Sequence, residues 1–153
     1  MQVYPIFIEQ QAALGATHMA LITYADLTAA TNTQTLALLT QKANVMGMRV
    51  TNAVVVTPFV SSDASDISLA FTVGDAGSAT RYMASLETNA NATTPTVAEQ
   101  GAVGALTDAT AYYATADTAV NAYVTCTSGK LLSAFTAGYL IVFFKITDNR
   151  SQG

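Results

Sequence analysis

Large apolar side chains recur at every second position along much of the chain. In Ile67-Ser68-Leu69-Ala70-Phe71-Thr72-Val73 the odd positions are bulky and apolar and the even ones small or hydroxylated, the signature of a half-buried β-strand. Val120-Asn121-Ala122-Tyr123-Val124-Thr125-Cys126 repeats it, with the even positions inward and Asn121, Tyr123 and Thr125 outward. Residues 46–57 set Met46, Met48, Val50, Val54 and Val56 against Arg49, Thr51, Ala53 and Thr57. One long strand is expected there, ending at Pro58, which has no amide to donate to a ladder. Tyr139-Leu140-Ile141-Val142-Phe143-Phe144-Lys145-Ile146 is apolar on both faces, as in a strand covered on each side of its sheet.

Weaker strands over 3–8, 18–24, 34–39 and 111–116 are separated by Asn, Gly, Asp and Thr clusters that act as turns. They bring the expected number to about eight, with almost no helical periodicity. That pattern predicts an all-β fold, an antiparallel β-sandwich of jelly-roll type. Residues 78–86 read as one short helical turn following Gly77, with Ser78 as its cap. Residues 87–108 are rich in Thr, Asn, Ala and Gly and read as one long surface loop. Residues 1–17, with Pro5 inside a hydrophobic run, read as an N-terminal arm or edge strand. Val3, Tyr4, Ile6, Phe7 and Ile8 are the side chains it would lay on a partner. Residues 18–153 then form the single sandwich domain.

Composition adds what the pattern leaves open. At 153 residues and 15.9 kDa the chain can bury a core without disulfides or metals. Charged residues are only 10% of the total, and 28 Ala with 23 Thr occupy a third of all positions, so the surface is paved with small neutral groups. Such a surface suits a protein largely covered by neighbours. Six Lys and Arg, scattered singly in a chain of net charge −4, form no basic stripe. Nucleic acid and acidic membrane surfaces are therefore not expected partners. The longest apolar run, 131–144, falls short of the roughly 20 residues a membrane helix needs. Met1-Gln2-Val3-Tyr4-Pro5 shows no basic segment before an apolar one, so the chain is expected to be made and kept in the cytosol.

Candidate chemistry is sparse. His18 is the single histidine and Cys126 the single cysteine; without partners both read as structural, and a thiol on an inward strand position behaves as a small hydrophobe. Two N or S ligands are too few for zinc. Asp63, Asp66 and Asp75 lack the spacing of a calcium loop and read as turn residues. Gly74-Asp75-Ala76-Gly77-Ser78 matches no phosphate-binding loop and reads as a tight turn, across which Arg81 is expected to pair with Asp75, the alternative being a carboxylate on a partner. Tyr112 and Tyr113, being adjacent, must point to opposite faces of a strand. No enzyme, no cofactor and no metal are expected.

Three stretches carry a resemblance. Val73-Gly74-Asp75-Ala76-Gly77-Ser78-Ala79-Thr80-Arg81-Tyr82-Met83-Ala84, Thr107-Asp108-Ala109-Thr110-Ala111-Tyr112-Tyr113-Ala114-Thr115-Ala116-Asp117-Thr118 and Leu132-Ser133-Ala134-Phe135-Thr136-Ala137-Gly138-Tyr139-Leu140-Ile141-Val142 are similar to small structural proteins of tailed bacteriophage particles. Together they span about residues 67–148. The resemblance implies a virion protein on the head surface, a decoration or cement protein that sits on the major capsid protein, often as a homotrimer. A tail or head-to-tail connector component is the alternative within that class, and a carbohydrate-binding adhesion module using Tyr123 the alternative outside it. The closing strand supplies the expected subunit interface through Tyr139, Ile141 and Phe143, or through the alternate set Leu140, Val142 and Phe144. A single sandwich core accounts for only one of these two faces.

Overall fold

A computed structural model describes residues 3–7, 15–65, 68–89 and 111–148. The chain is all-β, two antiparallel sheets packed face to face. The strands are β1 (Val3–Pro5), β2 (His18–Thr23), β3 (Thr33–Gln41), β4 (Met46–Ser61), β5 (Ser68–Asp75), β6 (Ser78–Asn89), β7 (Tyr112–Tyr113), β8 (Thr118–Cys126) and β9 (Phe135–Asp148). One sheet has the order β1-β2-β9-β4-β7 and the other β3-β8-β5-β6. Period-two alternation builds the core between them. Leu69, Phe71 and Val73 of β5 and Val120, Ala122, Val124 and Cys126 of β8 are buried from one sheet. Ala20, Ile22, Leu140, Val142 and Phe144 are buried from the other. Phe59 sits at the centre, its ring 5.4 Å from that of Phe71 and 6.4 Å, edge-on, from that of Phe135. Burying each such ring contributes about 1.5–3 kcal/mol.

β4 departs from the expected alternation. Val50 lies opposite Phe144 and Asn52 opposite Phe143, so Thr51 is an extra residue and the ladder bulges. The bulge reverses the phase. Met48 and Val50 point into the core, but beyond them it is Ala53, Val55 and Phe59 that are buried, while Val54 is half-buried and Val56 exposed. Nor does the strand stop at Pro58. It runs on to Ser61 because further irregularities between Thr57 and Val60 leave the proline out of the ladder, where its missing amide does no harm. Gly138 lies opposite this second irregularity, with φ +114°, and a Cβ there would come within 2.5 Å of Phe59 Cα. Only glycine allows both that backbone and that approach.

The helical turn expected over 78–86 is instead β6, paired with β5 through Leu86↔Phe71 and Met83↔Val73. Tyr82, Met83 and Leu86 are buried, and bulged pairing had disguised the period. The intervening Ala76-Gly77 turn is closed by Asp75, whose Oδ1 accepts from the amides of Gly77 (2.8 Å) and Ser78 (2.9 Å). The connection from β2 to β3 passes between the sheets through one turn of 3-10 helix, Tyr24–Asp26. The Gln34 side chain ties it down: Oε1 accepts from the amides of Thr28 and Ala29, both at 3.0 Å, and Nε2 donates to the Asp26 carbonyl at 2.7 Å. Of the predicted long loop, residues 87–89 belong to β6, and 90–108 lie outside the described residues.

Candidate functional site

Two surfaces bring chemistry-bearing side chains together. The first is the outer face of the five-stranded sheet. Cross-strand register aligns Tyr4, Met19, Phe143 and Asn52 in one row, Leu21, Ile141 and Val54 in the next, and Thr23, Tyr139 and Thr57 in a third. Residues directly opposed in a ladder share a face, so Phe143, Ile141 and Tyr139 form the spine of a mostly apolar surface. Met19, Leu21, Val54, Tyr139, Ile141 and Phe143 are each half-buried. Tyr4 is 41% exposed and Phe7, just past β1, 77%. Basic residues appear at one end of the face, where Arg49 lies opposite Lys145. The alternate set Leu140, Val142 and Phe144 is fully buried in the sandwich core; both faces of β9 are apolar because one makes the core and the other makes this surface.

Val3–Pro5 forms the edge of the sheet, paired with β2, and the Ile6 amide continues the ladder to the Thr17 carbonyl at 2.8 Å. Val3 packs against the core and Ile6 is buried, whereas Tyr4 and Phe7 face outward. Ile8 lies outside the described residues.

The second surface is a polar cleft of about 430 Å³ at the β5–β6 hairpin, lined by Asp75, Arg81, Tyr112, Asp117 and Asn121. Arg81 Nε donates to Asp75 Oδ2, the ion pair expected across the turn. The Arg81 guanidinium also lies over the Tyr112 ring, 4.4 Å from its centroid, a cation–π contact. Burial raises the Asp75 pKa, but the hydrogen bonds from Arg81, Ser78 and Gly77 outweigh it and hold the carboxyl below its ordinary value. Arg81 is pushed up, chiefly by its bond to Asp75. Asp117 accepts from Lys42 Nζ at 2.6 Å and from the Ala43 amide at 2.9 Å, which lowers its pKa. Each of these carboxylates is thus paired, Asp75 with Arg81 inside the cleft and Asp117 with Lys42 outside it.

Beneath the cleft lies a buried polar group that sequence reading missed. Gln41 is fully buried; its Nε2 donates to the Met46 carbonyl at 2.8 Å and the Tyr112 carbonyl at 2.6 Å, and its Oε1 accepts from the Tyr82 hydroxyl. One amide therefore joins β3, β4, β6 and β7. Burial is the main cause of the upward shift of the Tyr82 phenol, with the Asp75 charge adding to it. No periodicity marks Gln41 as inward, because β3 is irregular between Ala37 and Leu39.

The remaining candidates fall apart in space. His18 is half-buried at the start of β2, its Nδ1 2.9 Å from Thr17 Oγ1, and burial lowers its pKa. Cys126 is buried at the end of β8, beside the Ser128 hydroxyl at 3.1 Å. Asp63 accepts from the amide and hydroxyl of Ser65, at 2.9 and 2.6 Å, as a turn residue, and Asp66 lies outside the described residues. Tyr123 is half-buried, with Asn121 Nδ2 3.5 Å from its hydroxyl. Among the described residues no three His, Cys, Asp or Glu side chains are grouped to hold a metal ion, and no helix is long and apolar enough to cross a membrane. No family model, curated protein or solved structure matches the chain.

Proposed function

We propose that this chain is a virion structural protein, a head decoration or cement protein that assembles as a homotrimer and binds the major capsid protein lattice. The observation that carries the reading is the outer face of the five-stranded sheet, where Tyr139, Ile141 and Phe143 run between Met19 and Leu21 on one side and Val54 on the other. A mostly apolar face suits a protein that works by being covered. The sparse charge of the whole chain and the outward Tyr4 and Phe7 at the adjoining edge extend that logic to a second partner. In this role the chemistry is mass action. A subunit that binds the assembled shell and not its dissociated parts stabilises the shell by RT ln(1 + [L]/Kd), against internal genome pressure.

The test has two readouts. Several hundred copies per purified particle, with particles lacking the protein breaking at lower temperature, is the expected result. A dozen or fewer copies with unchanged shell stability would move the protein to the tail or the head-to-tail connector. Glycan binding that disappears with Tyr123→Ala would replace both readings with an adhesion module.

A further inference from the structure

Among the described residues the four sheet edges are unequal. β1 is three residues long and ends on Pro5, which offers no N–H; β7 is two residues long, and past it the side of β4 away from β9 is broken by Arg49, the bulge at Thr51 and Pro58. β6 carries Arg81 and Glu87 and has two register shifts against β5. These are the devices by which natural edges avoid pairing with another chain: brevity, proline, charge and bulges. β3 is different. Its nine residues, Thr-Gln-Thr-Leu-Ala-Leu-Leu-Thr-Gln, hold no charge and no proline. Its one irregularity, between Ala37 and Leu39, lies toward the C-terminal end.

The direction of its backbone groups follows from the ladder. The Cys126 amide donates to the Asn32 carbonyl at 2.7 Å, and Thr33 lies opposite Thr125. Antiparallel pairs alternate between bonded and non-bonded, so Asn32, Gln34 and Leu36 turn their amides and carbonyls toward β8. Thr33, Thr35 and Ala37 turn theirs away from the sheet. The Thr33 carbonyl also accepts from the Thr31 hydroxyl at 2.9 Å. The side chains of Thr33, Thr35 and Ala37 are also exposed. Among the described residues, no strand pairs with this side of β3.

We propose that the β3 edge is a self-association site, at which a second copy of this chain adds its own β3 antiparallel about a two-fold axis through Thr35. The occupant follows from self-complementarity. With Thr35 opposite Thr35, Thr33 falls opposite Ala37 of the second copy, so each outward residue meets an outward residue. Each of these pairs exchanges two hydrogen bonds, about six in all. The facing side chains are Thr against Thr and Thr against Ala, small enough to pass and free of like-charge repulsion. A two-fold contact of this kind is closed and uses the same patch on both copies. It joins the two four-stranded sheets into one and leaves the outer face of the five-stranded sheet untouched. It is therefore independent of the virion reading, and it is tested on the purified protein alone.

The experiment is sedimentation velocity across micromolar concentrations, in a Phe143→Asp background that disables association through the outer face. The expected species is a dimer. Thr35→Lys places two ammonium groups at the axis and Thr35→Pro deletes the central donor; each weakens the dimer by roughly tenfold or more, while Thr35→Val leaves it intact. Circular dichroism confirms that each variant is folded. Should Thr35→Pro fail that check, Thr35→Lys, whose backbone is unaltered, decides alone. A monomer throughout in the Phe143→Asp background, or a dimer indifferent to Thr35→Lys, overturns the proposal.

Discussion

At the scale of single residues, the strongest local constraints are polar. Gln41 satisfies two backbone carbonyls and one phenol at a point where two sheets meet. Replacing it by leucine leaves those groups without partners, at about 1–3 kcal/mol for a buried orphan. Gln41→Leu is expected to lose on the order of 3 kcal/mol, and Tyr82→Phe, which removes only the donor to Oε1, about 1 kcal/mol. Urea unfolding of the two variants checks the ratio. Asp75 gives a pH signature. Its carboxyl has a lower pKa folded than in the unfolded chain, because the bonds from Arg81, Ser78 and Gly77 overcome the effect of burial. A depressed acid stabilises the fold above the unfolded pKa, near 4, and that contribution is lost as pH falls through the folded value. Asp75→Asn should therefore be less stable than wild type at pH 7, and the gap should close below pH 4. A gap that does not narrow as pH falls below 4 would show that the charge is not what matters. Of these residues the Asp75–Arg81 pair was legible in the sequence, since a turn brings near neighbours together. Gln41 was not, because its partners are contributed by three other strands.

At the scale of elements, strands were readable where the ladder is regular and misread where it bulges. β5 and β8 keep their inward sets from end to end, so Leu69, Phe71 and Val73 and Val120 through Cys126 could be assigned from period two alone. β4 changes phase at Thr51, and β6 is irregular against β5, so both defeated an unbroken alternation. A bulge inserts one residue without altering composition, and no side-chain preference announces it here; Ala53, Val54, Val55 and Val56 differ by little more than methyl groups. The phase is testable. Val55→Asp buries a carboxylate in the core and should prevent folding, whereas Val54→Asp, one residue away on the outer face, should leave a folded domain. Circular dichroism melts of the pair decide between the two phases. Gly138→Ala probes the same strand pair further along, where a Cβ meets Phe59. A loss of more than about 1 kcal/mol is expected, against the usual strand preference for alanine over glycine, which has the opposite sign.

At the scale of the molecule, the sandwich class was legible and the strand order was not, because alternation says which way a side chain points and nothing about which strand lies beside it. The two-faced apolar character of β9 was visible in the sequence. The sheet order resolves it: Leu140, Val142 and Phe144 are core, and Tyr139, Ile141 and Phe143 belong to the outer face. Phe143→Asp should accordingly break association through that face while preserving the fold, leaving the edge-paired dimer. Adding Thr35→Lys should then give a monomer, with light scattering as the readout. A Phe143→Asp chain that cannot fold would place Phe143 in the core and remove the outer face as an interface.

The place of β9 in its sheet also has a meaning in time. β2 and β4 are both made early in synthesis, yet each takes β9 as its neighbour, and β9 is the last of these strands to leave the ribosome. Until residues 135–148 emerge, β2 and β4 have no common partner, and the five-stranded sheet lacks the strand at its centre. The sheet cannot form progressively. Contacts this distant along the chain make folding slow, and the sides of β2 and β4 that face β9 stay unpaired until it is made. Few charges protect it in that interval, so the yield of native protein is expected to fall when translation stalls between β8 and β9.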